Sequence, residues 1–342
     1  MRRLALLACL VCWCGPSFAA AAFDAQSVTD AQLRDGAARL KPELLTKAQI
    51  LLSRAHYSPG EIDGKPGPNF SKALAAFAGD RGLQSNERLT DEVWRELANF
   101  STDPALIEYT ITEADVRGPF LAKIPARMED MKRLPALSYV SPRERLAEKF
   151  HVSEALLGAL NPGKKLDNAG EPIMVPNVAQ VKLGKIVRIE VNKTDQTLRA
   201  FGPDEKLVAF YPVTAGSSEK PAPRGRLKVT TVQKNPTYHY DPKYKFKGVQ
   251  TNRPFTIQAG PNNPVGAVWI GVSGEGYGLH GTPEPSKIGK TESHGCIRLT
   301  NWDALELADA VGKGVPVDFV GDEQERRIAR AQAQRPNARK KR

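Results

Sequence analysis

The reactive side chains of this sequence concentrate in one stretch, Leu279 to Leu299, LHGTPEPSKIGKTESHGCIRL. It holds Cys296, the only cysteine beyond residue 14, and two of the five histidines, His280 and His294. Gly281 and Gly295 each follow a histidine, Ser293 precedes the second one, and Arg298 lies two residues past the cysteine. A thiol attacks as thiolate, and a nearby imidazole can take its proton. A glycine beside the nucleophile lets backbone N–H groups approach a developing oxyanion. A guanidinium can grip a substrate carboxylate through two parallel hydrogen bonds. Three plainer readings stand beside this one. A lone cysteine is often a small buried hydrophobe. The histidines can simply cap turns. His280, His294 and Cys296 can also be three zinc ligands, although no second cysteine and no CxxC is present to complete a structural site. Spacing does not choose a base, since His294 is nearer than His280 to Cys296 along the chain.

His280-Gly281 followed by Ser293-His294-Gly295-Cys296-Ile297-Arg298-Leu299 resembles the motif of the L,D-transpeptidase catalytic domain of the YkuD type. Enzymes of that family remodel bacterial peptidoglycan. The resemblance implies that Cys296 is the acyl-accepting nucleophile and His280 its base, with the Gly281 carbonyl orienting the imidazole. It implies that His294, Gly295 and Cys296 form the turn whose N–H groups make the oxyanion hole. Arg298 matches the family's arginine, and with Ser293 it stands on the substrate side. No metal and no cofactor is implied.

The elements that position these residues read as strands. Val187, Ile189 and Val191 alternate with Arg188 and Glu190, the pattern of a half-buried strand. Leu198 to Phe201 and Leu207 to Val213 predict a hairpin about Gly202-Pro203-Asp204-Glu205. Leu227, Val229 and Thr231 begin another strand, Val268, Ile270 and Val272 a further one, and Tyr277 to His280 the next. Thr300 is placed to cap a helix, with Asp303 at the capping-box position, Leu305, Leu307, Ala308 and Val311 apolar, and Gly312 at its end. Val315, Val317 and Phe319 close the sheet. Residues 184–321 are therefore expected to be a mostly β, sandwich-like domain with one main helix. Residues 233–264 are rich in Pro, Asn, Tyr and Lys and read as a long functional loop or lid. Tyr238, His239, Tyr240 and Tyr244 either touch substrate there or pack the loop.

Before this domain, residues 41–100 carry apolar positions at helical spacing: Leu44, Leu45, Ala48, Leu51 and Leu52, then Ala73, Leu74 and Phe77, then Val93, Trp94 and Leu97. With the Asp63-Gly64 loop before the second helix, this resembles the small peptidoglycan-binding module. Phe77 is followed by Ala78 where that module has Gln, and a spacer without a ligand is the other reading. In 105–178, Tyr109 to Thr112 predicts a short strand. Residues 117–136 read as an insertion or linker, and Ser141 caps a helix carrying Leu146 and Phe150. A second helix ends at Asn161-Pro162-Gly163, and Ile173 to Pro176 closes the unit. Tyr139 to Asn177 resembles the later part of a LysM module, without its usual Gly-Asp-Thr; a unit used only for packing is the alternative.

Residues 1–22 read as a secretory leader: Arg2 and Arg3, an apolar run from Leu4 to Trp13 too short to span a bilayer, and Ala20-Ala21-Ala22 before Phe23. Cys9 offers a lipoprotein leader as an alternative. Cleavage after Ala22 removes Cys9, Cys12 and Cys14 and leaves Cys296 as the one thiol, which in an oxidising compartment speaks for chemistry rather than packing. The formal charge is +11. Much of it lies in the 322–342 tail, where Gln324–Arg342 sets eight Lys or Arg against Glu325 alone; the body is close to neutral, so no nucleic-acid groove is indicated. The tail is polar enough to be expected disordered.

Together these readings give a multidomain α+β chain: a small helical peptidoglycan-binding-like module, a LysM-like segment and a mostly β L,D-transpeptidase domain. The resemblance implies an exported enzyme of the periplasm or cell envelope. Its partners would be peptidoglycan tetrapeptide stems and glycan strands, with a stem amine, water or a lipoprotein lysine as acceptor. A non-catalytic peptidoglycan-binding envelope protein is the alternative from another class.

Overall fold

The computed structural model describes residues 23–33, 40–84, 87–178, 181–216, 221–244, 249–291 and 295–321. The expected leader at 1–22, Ser293, His294 and the tail at 322–342 lie outside the described residues. The chain opens with a short helix, α1 (Ala25–Thr29), and three longer ones, α2 (Pro42–Arg54), α3 (Pro68–Asp80) and α4 (Asp91–Asn99). α2 and α3 begin on proline, whose missing N–H costs no bond in a first turn. α4 begins after Thr90, whose hydroxyl accepts from the Val93 N–H at 3.3 Å. Leu45, Leu52, Leu74, Phe77 and Leu97 meet in one core. The Asp63-Gly64 loop is fastened by Gln49, whose carbonyl oxygen accepts from both backbone N–H groups at 3.1 and 2.8 Å.

The next unit runs β1 (Leu106–Thr110), α5 (Glu113–Val116), α6 (Met128–Met131), α7 (Pro142–Lys149), α8 (Glu154–Leu160) and β2 (Pro172–Pro176). β1 pairs antiparallel with β2, Leu106 opposite Pro176, so the two strands close the unit around the four helices between them. Ser141 and Ser153 cap α7 and α8 by accepting from Glu144 N–H and Leu156 N–H at 3.0 and 3.1 Å. Asn161 ties the end of α8 to β2: its side chain accepts from Met174 N–H at 2.7 Å and donates to Met174 C=O at 2.8 Å. Ile50 of α2 and Ile62 share this unit's core with Leu146, Leu157, Leu160 and Val175, so the two helical units are packed as neighbours.

The remaining strands are β3 (Arg188–Asn192), β4 (Thr197–Phe201), β5 (Leu207–Pro212), β6 (Thr214–Ala215), β7 (Gly225–Lys234), β8 (Tyr238–Tyr240), β9 (Phe255–Ile257), β10 (Val268–Val272), β11 (Gly278–His280), β12 (Ile297–Arg298) and β13 (Pro316–Val320), with α9 (Asn301–Ala310) before the last. Nine of them form one hydrogen-bonded series, β5-β4-β3-β13-β7-β10-β11-β12-β6, and β8 pairs only with β9 among the described residues. Two pairs run parallel, β3 with β13 and β11 with β12. α9 lies against β7, β10 and β11. Thr300 caps it by accepting from Asp303 N–H at 3.2 Å. The Asp303 carboxylate does not return to the Thr300 N–H as a capping box would; it accepts from Ser58 of the first helical unit at 2.9 Å.

That bond is one of several across the junction between the helical units and the sheet. His56 Nδ1 lies 2.7 Å from one oxygen of Glu306, and the Tyr211 hydroxyl donates to the other at 2.7 Å. Asn301 donates to both oxygens of Glu148 on α7 at 2.9 and 3.1 Å, and Asn262 donates to Glu144 at 2.9 Å. His151 stacks on Trp302, centroids 5.2 Å apart. Phe210 of β5 enters the core of the first helical unit. Burial raises the Asp303 carboxyl well above its ordinary value and lifts Glu148 to about 8.

Candidate active site

Cys296 stands one residue before β12, and His280 ends β11. The parallel pairing of these two short strands sets Leu279 opposite Ile297 and His280 opposite Arg298. Residues sixteen positions apart in sequence are thereby brought to one corner of the sheet. The corner is fixed on the other side by β6, whose Ala215 and Thr214 pair with Ile297 and Arg298. Gly295, buried at φ +93°, makes the turn into the cysteine, a backbone conformation that L side chains rarely adopt.

His280 is 4 % exposed. Its Nδ1 lies 2.7 Å from the Gly281 carbonyl oxygen. A carbonyl only accepts, so the proton sits on Nδ1 and Nε2 is left with its lone pair. Burial first, and the Arg298 charge second, push the imidazole down to about 3, against the opposing pull of the Gly281 bond. His280 is thus a neutral base at every pH near neutrality. Trp269 of β10 stacks on its ring at 5.7 Å and 21°. Gly281 lies against Asn301: a Cβ on Gly281 would overlap the Asn301 side-chain oxygen, which accepts from Ala267 N–H at 2.9 Å.

Cys296 is half-buried, and its thiol points to the Gly276 carbonyl at 3.5 Å. Arg298 lies close enough to feel both the Cys296 and Glu284 charges, which favour its cationic form, while burial disfavours it. An adjacent guanidinium stabilises a thiolate, as a nucleophilic cysteine requires. Tyr238 of β8 is half-buried, and its phenol is raised above the ordinary range by burial, then by Cys296 and Tyr240. It therefore stays protonated and able to donate.

Of the residues singled out in the sequence, the structure gathers Cys296, His280, Gly281, Gly295, Arg298 and Tyr238 at this corner. Tyr240 is 2 % exposed and stacks on Phe255 at 4.7 Å, so its ring serves the hairpin's own core. His239 faces Thr256, Nδ1 to Oγ1 3.1 Å. Ser293, His294 and the side chain of Tyr244 lie outside the described residues. Trp269, Asn301 and the Gly276 carbonyl also belong to this corner and do not stand out in the sequence. Asn301 had one signal, its place directly after the Thr300 cap; the other two had none.

Comparison with known proteins agrees with this geometry. Residues 186–319 match the YkuD family, described as the L,D-transpeptidase catalytic domain. YkuD of Bacillus licheniformis, whose assignment as an L,D-transpeptidase is itself an inference, is 33 % identical over 178 residues, 52 % of this chain and 92 % of that one. The chain belongs to the L,D-transpeptidase family. YkuD of Bacillus subtilis is 28 % identical over 174 residues, covering 50 % of this chain and 89 % of its own. ErfK/SrfK of Escherichia coli is 32 % identical over 190 residues, 52 % of this chain and 59 % of that one. The L,D-transpeptidase match at 186–319 takes in β3 to β13 almost entirely, and the two helical units lie before it.

Proposed function

We propose that this L,D-transpeptidase is an exported cysteine acyltransferase acting on peptidoglycan stem peptides. The observation that carries the reading is the His280 tautomer: Nδ1–H held by Gly281, Nε2 unprotonated, and a buried ring that stays neutral. Nε2 takes the thiol proton of Cys296. The thiolate attacks the carbonyl of the third stem residue, a sulfur–carbon bond forms, and the amide bond to the terminal D-Ala breaks. His280 returns its proton to the leaving amine. N–H groups of the turn at Gly295 and Cys296 receive the oxyanion, and His294 belongs to that turn. Arg298, with Ser293, receives the stem carboxylate, and Tyr238 donates at the same edge. An amine of a neighbouring stem then resolves the thioester and leaves a 3–3 cross-link. Water in its place gives an L,D-carboxypeptidase, and a lipoprotein lysine gives protein anchoring.

The helical units at 41–100 and 105–178 serve as peptidoglycan-binding-like and LysM-like modules beside the enzyme. Export rests on the leader at 1–22; among the described residues no helix is long and apolar enough to cross a membrane. The test is mass spectrometry of purified muropeptides incubated with the protein. Cross-linked dimers with release of D-Ala support transfer, tripeptides alone support hydrolysis, and unchanged muropeptides overturn the reading.

A further inference from the structure

Residues 117–136 read as an insertion or linker, yet together with Leu137 they build a core with the hairpin that carries Tyr238. β8 and β9 form a ladder of three residue pairs. Among the described residues it is bonded to neither edge of the nine-stranded sheet. A two-stranded ladder of that length is not stable on its own in water and must be held by packing from elsewhere. The packing comes from the linker. Leu137, 0 % exposed, is buried with Tyr240, Phe255 and Ile257, and Leu121, Met128, Met131 and Leu134 pack around them.

Backbone bonds fix the same contact. Leu137 N–H donates to Ala259 C=O at 2.9 Å, and Asn262 N–H donates to Leu137 C=O at 2.9 Å. Asn262 also donates from its side chain to Ser138 C=O at 3.0 Å. Gly260, at φ +142°, sits so close that a Cβ would overlap the Leu137 carbonyl. Glu129 of α6, 7 % exposed, accepts from Gln250 N–H at 2.6 Å, in the connection between the two strands. Tyr238 lies on the same face of β8 as Tyr240, packs at the edge of this core, and is near enough to Cys296 and Arg298 to feel their charges.

We propose that 117–140 is a brace that holds the Tyr238 hairpin against the cysteine, with Leu137 and Glu129 as positioning residues for recognition of the acyl donor. The donor half of this statement rests on the proposed function; the brace itself does not. The Tyr238 side of the site is thus set by chain that precedes the matched L,D-transpeptidase domain.

The test uses the full-length chain and three variants, Glu129→Ala, Glu129→Gln and Leu137→Ala. Hydrogen exchange reads the brace without any activity. In Glu129→Ala, amides of Tyr238–Tyr240 and Phe255–Ile257 should exchange about tenfold faster, the size of one lost hydrogen bond to a charged acceptor, while β3 and β10 stay unchanged. Glu129→Gln keeps a side-chain carbonyl for Gln250 N–H and should restore slow exchange. Leu137→Ala should loosen the hairpin further; if it fails to fold, the Glu129 pair still decides. D-Ala release from a disaccharide-tetrapeptide reads the positioning: KM should rise about five- to tenfold in Glu129→Ala with kcat within about twofold. Iodoacetamide alkylation of Cys296 should confirm that the thiol remains competent. Unchanged hairpin exchange in Glu129→Ala, or a Gln variant as loose as the Ala variant, overturns the brace. Faster exchange without a KM change overturns the positioning role. A wild-type chain that releases no D-Ala sinks the proposed function instead, and the exchange result still decides the brace.

Discussion

The corner that holds Cys296 and His280 and the hairpin that holds Tyr238 are neighbours, yet they are held in opposite ways. The corner belongs to the large sheet: β11 and β12 pair with each other and are flanked by β10 and β6. Its polar groups are locked mainly within the sheet domain, Gly281 on His280 and Asn301 against Gly281, with Asn301 also tied to Glu148 of α7. The hairpin is outside that sheet and takes its core from 117–140. Chemistry therefore sits on rigid elements, while the recognition edge hangs on a contact made by another part of the chain. A loose site loses rate steeply with small misplacements, so the division protects the step that tolerates them least.

The comparison is broken most completely by Cys296→Ala. Acyl transfer should vanish, while thermal stability changes only modestly because a half-buried thiol leaves a small gap. His280→Ala comes next. Loss of the base should slow acylation on the order of 10²-fold, measured as single-turnover D-Ala release. Residual activity in that variant equal to wild type would mean the base is elsewhere. Gly281→Ala should cost roughly 10- to 100-fold in kcat, because its new methyl displaces Asn301 and turns the Gly281 carbonyl away from His280. An unchanged kcat there would deny Asn301 its supporting place.

The smallest effect concerns the junction with the helical units. Glu148 keeps its proton in the folded chain up to about 8, whereas a carboxyl in the unfolded chain ionises near its ordinary 4.5. The folded state therefore binds more protons across that window, and this group's contribution to stability is full below pH 4.5 and lost as pH rises through 8. Glu148→Gln cannot ionise and can still accept from Asn301. Its Tm should match wild type at pH 4 and exceed it by about 2–4 °C at pH 9. Equal Tm values at both pH values would contradict a buried, protonated Glu148.

How much of this is legible in the sequence follows from where the information lies. The reactive residues are legible because seven consecutive positions, Ser293 to Leu299, plus His280-Gly281, carry type and order together. The helix periods at Leu44 to Leu52, Ala73 to Phe77 and Val93 to Leu97 fall on α2, α3 and α4, since burying one face imposes the spacing. Strand alternation locates β3, β10 and β13 but says nothing of partners, so the parallel pairing that unites His280 with Arg298 is invisible until the sheet is closed. Trp269 reads as one more apolar strand residue. Ser58, Glu148 and Glu306 carry no mark of burial in the sequence, and Asp303 reads only as a capping-box residue, because polar side chains buried against another unit keep the composition of exposed ones. The linker at 117–136 reads as loop from its prolines, and only Leu137's burial reveals what it supports.

The central claim is a thiol acyl-enzyme on Cys296 with His280 as its base. Its most direct test is intact-protein mass spectrometry after brief mixing with a disaccharide-tetrapeptide, quenched in acid, followed by peptide mapping. The account predicts an adduct equal to the donor less its terminal D-Ala, mapped to the peptide containing Cys296, slow to form in His280→Ala and absent from Cys296→Ala. D-Ala release by Cys296→Ala, or an adduct on any other residue, would contradict it.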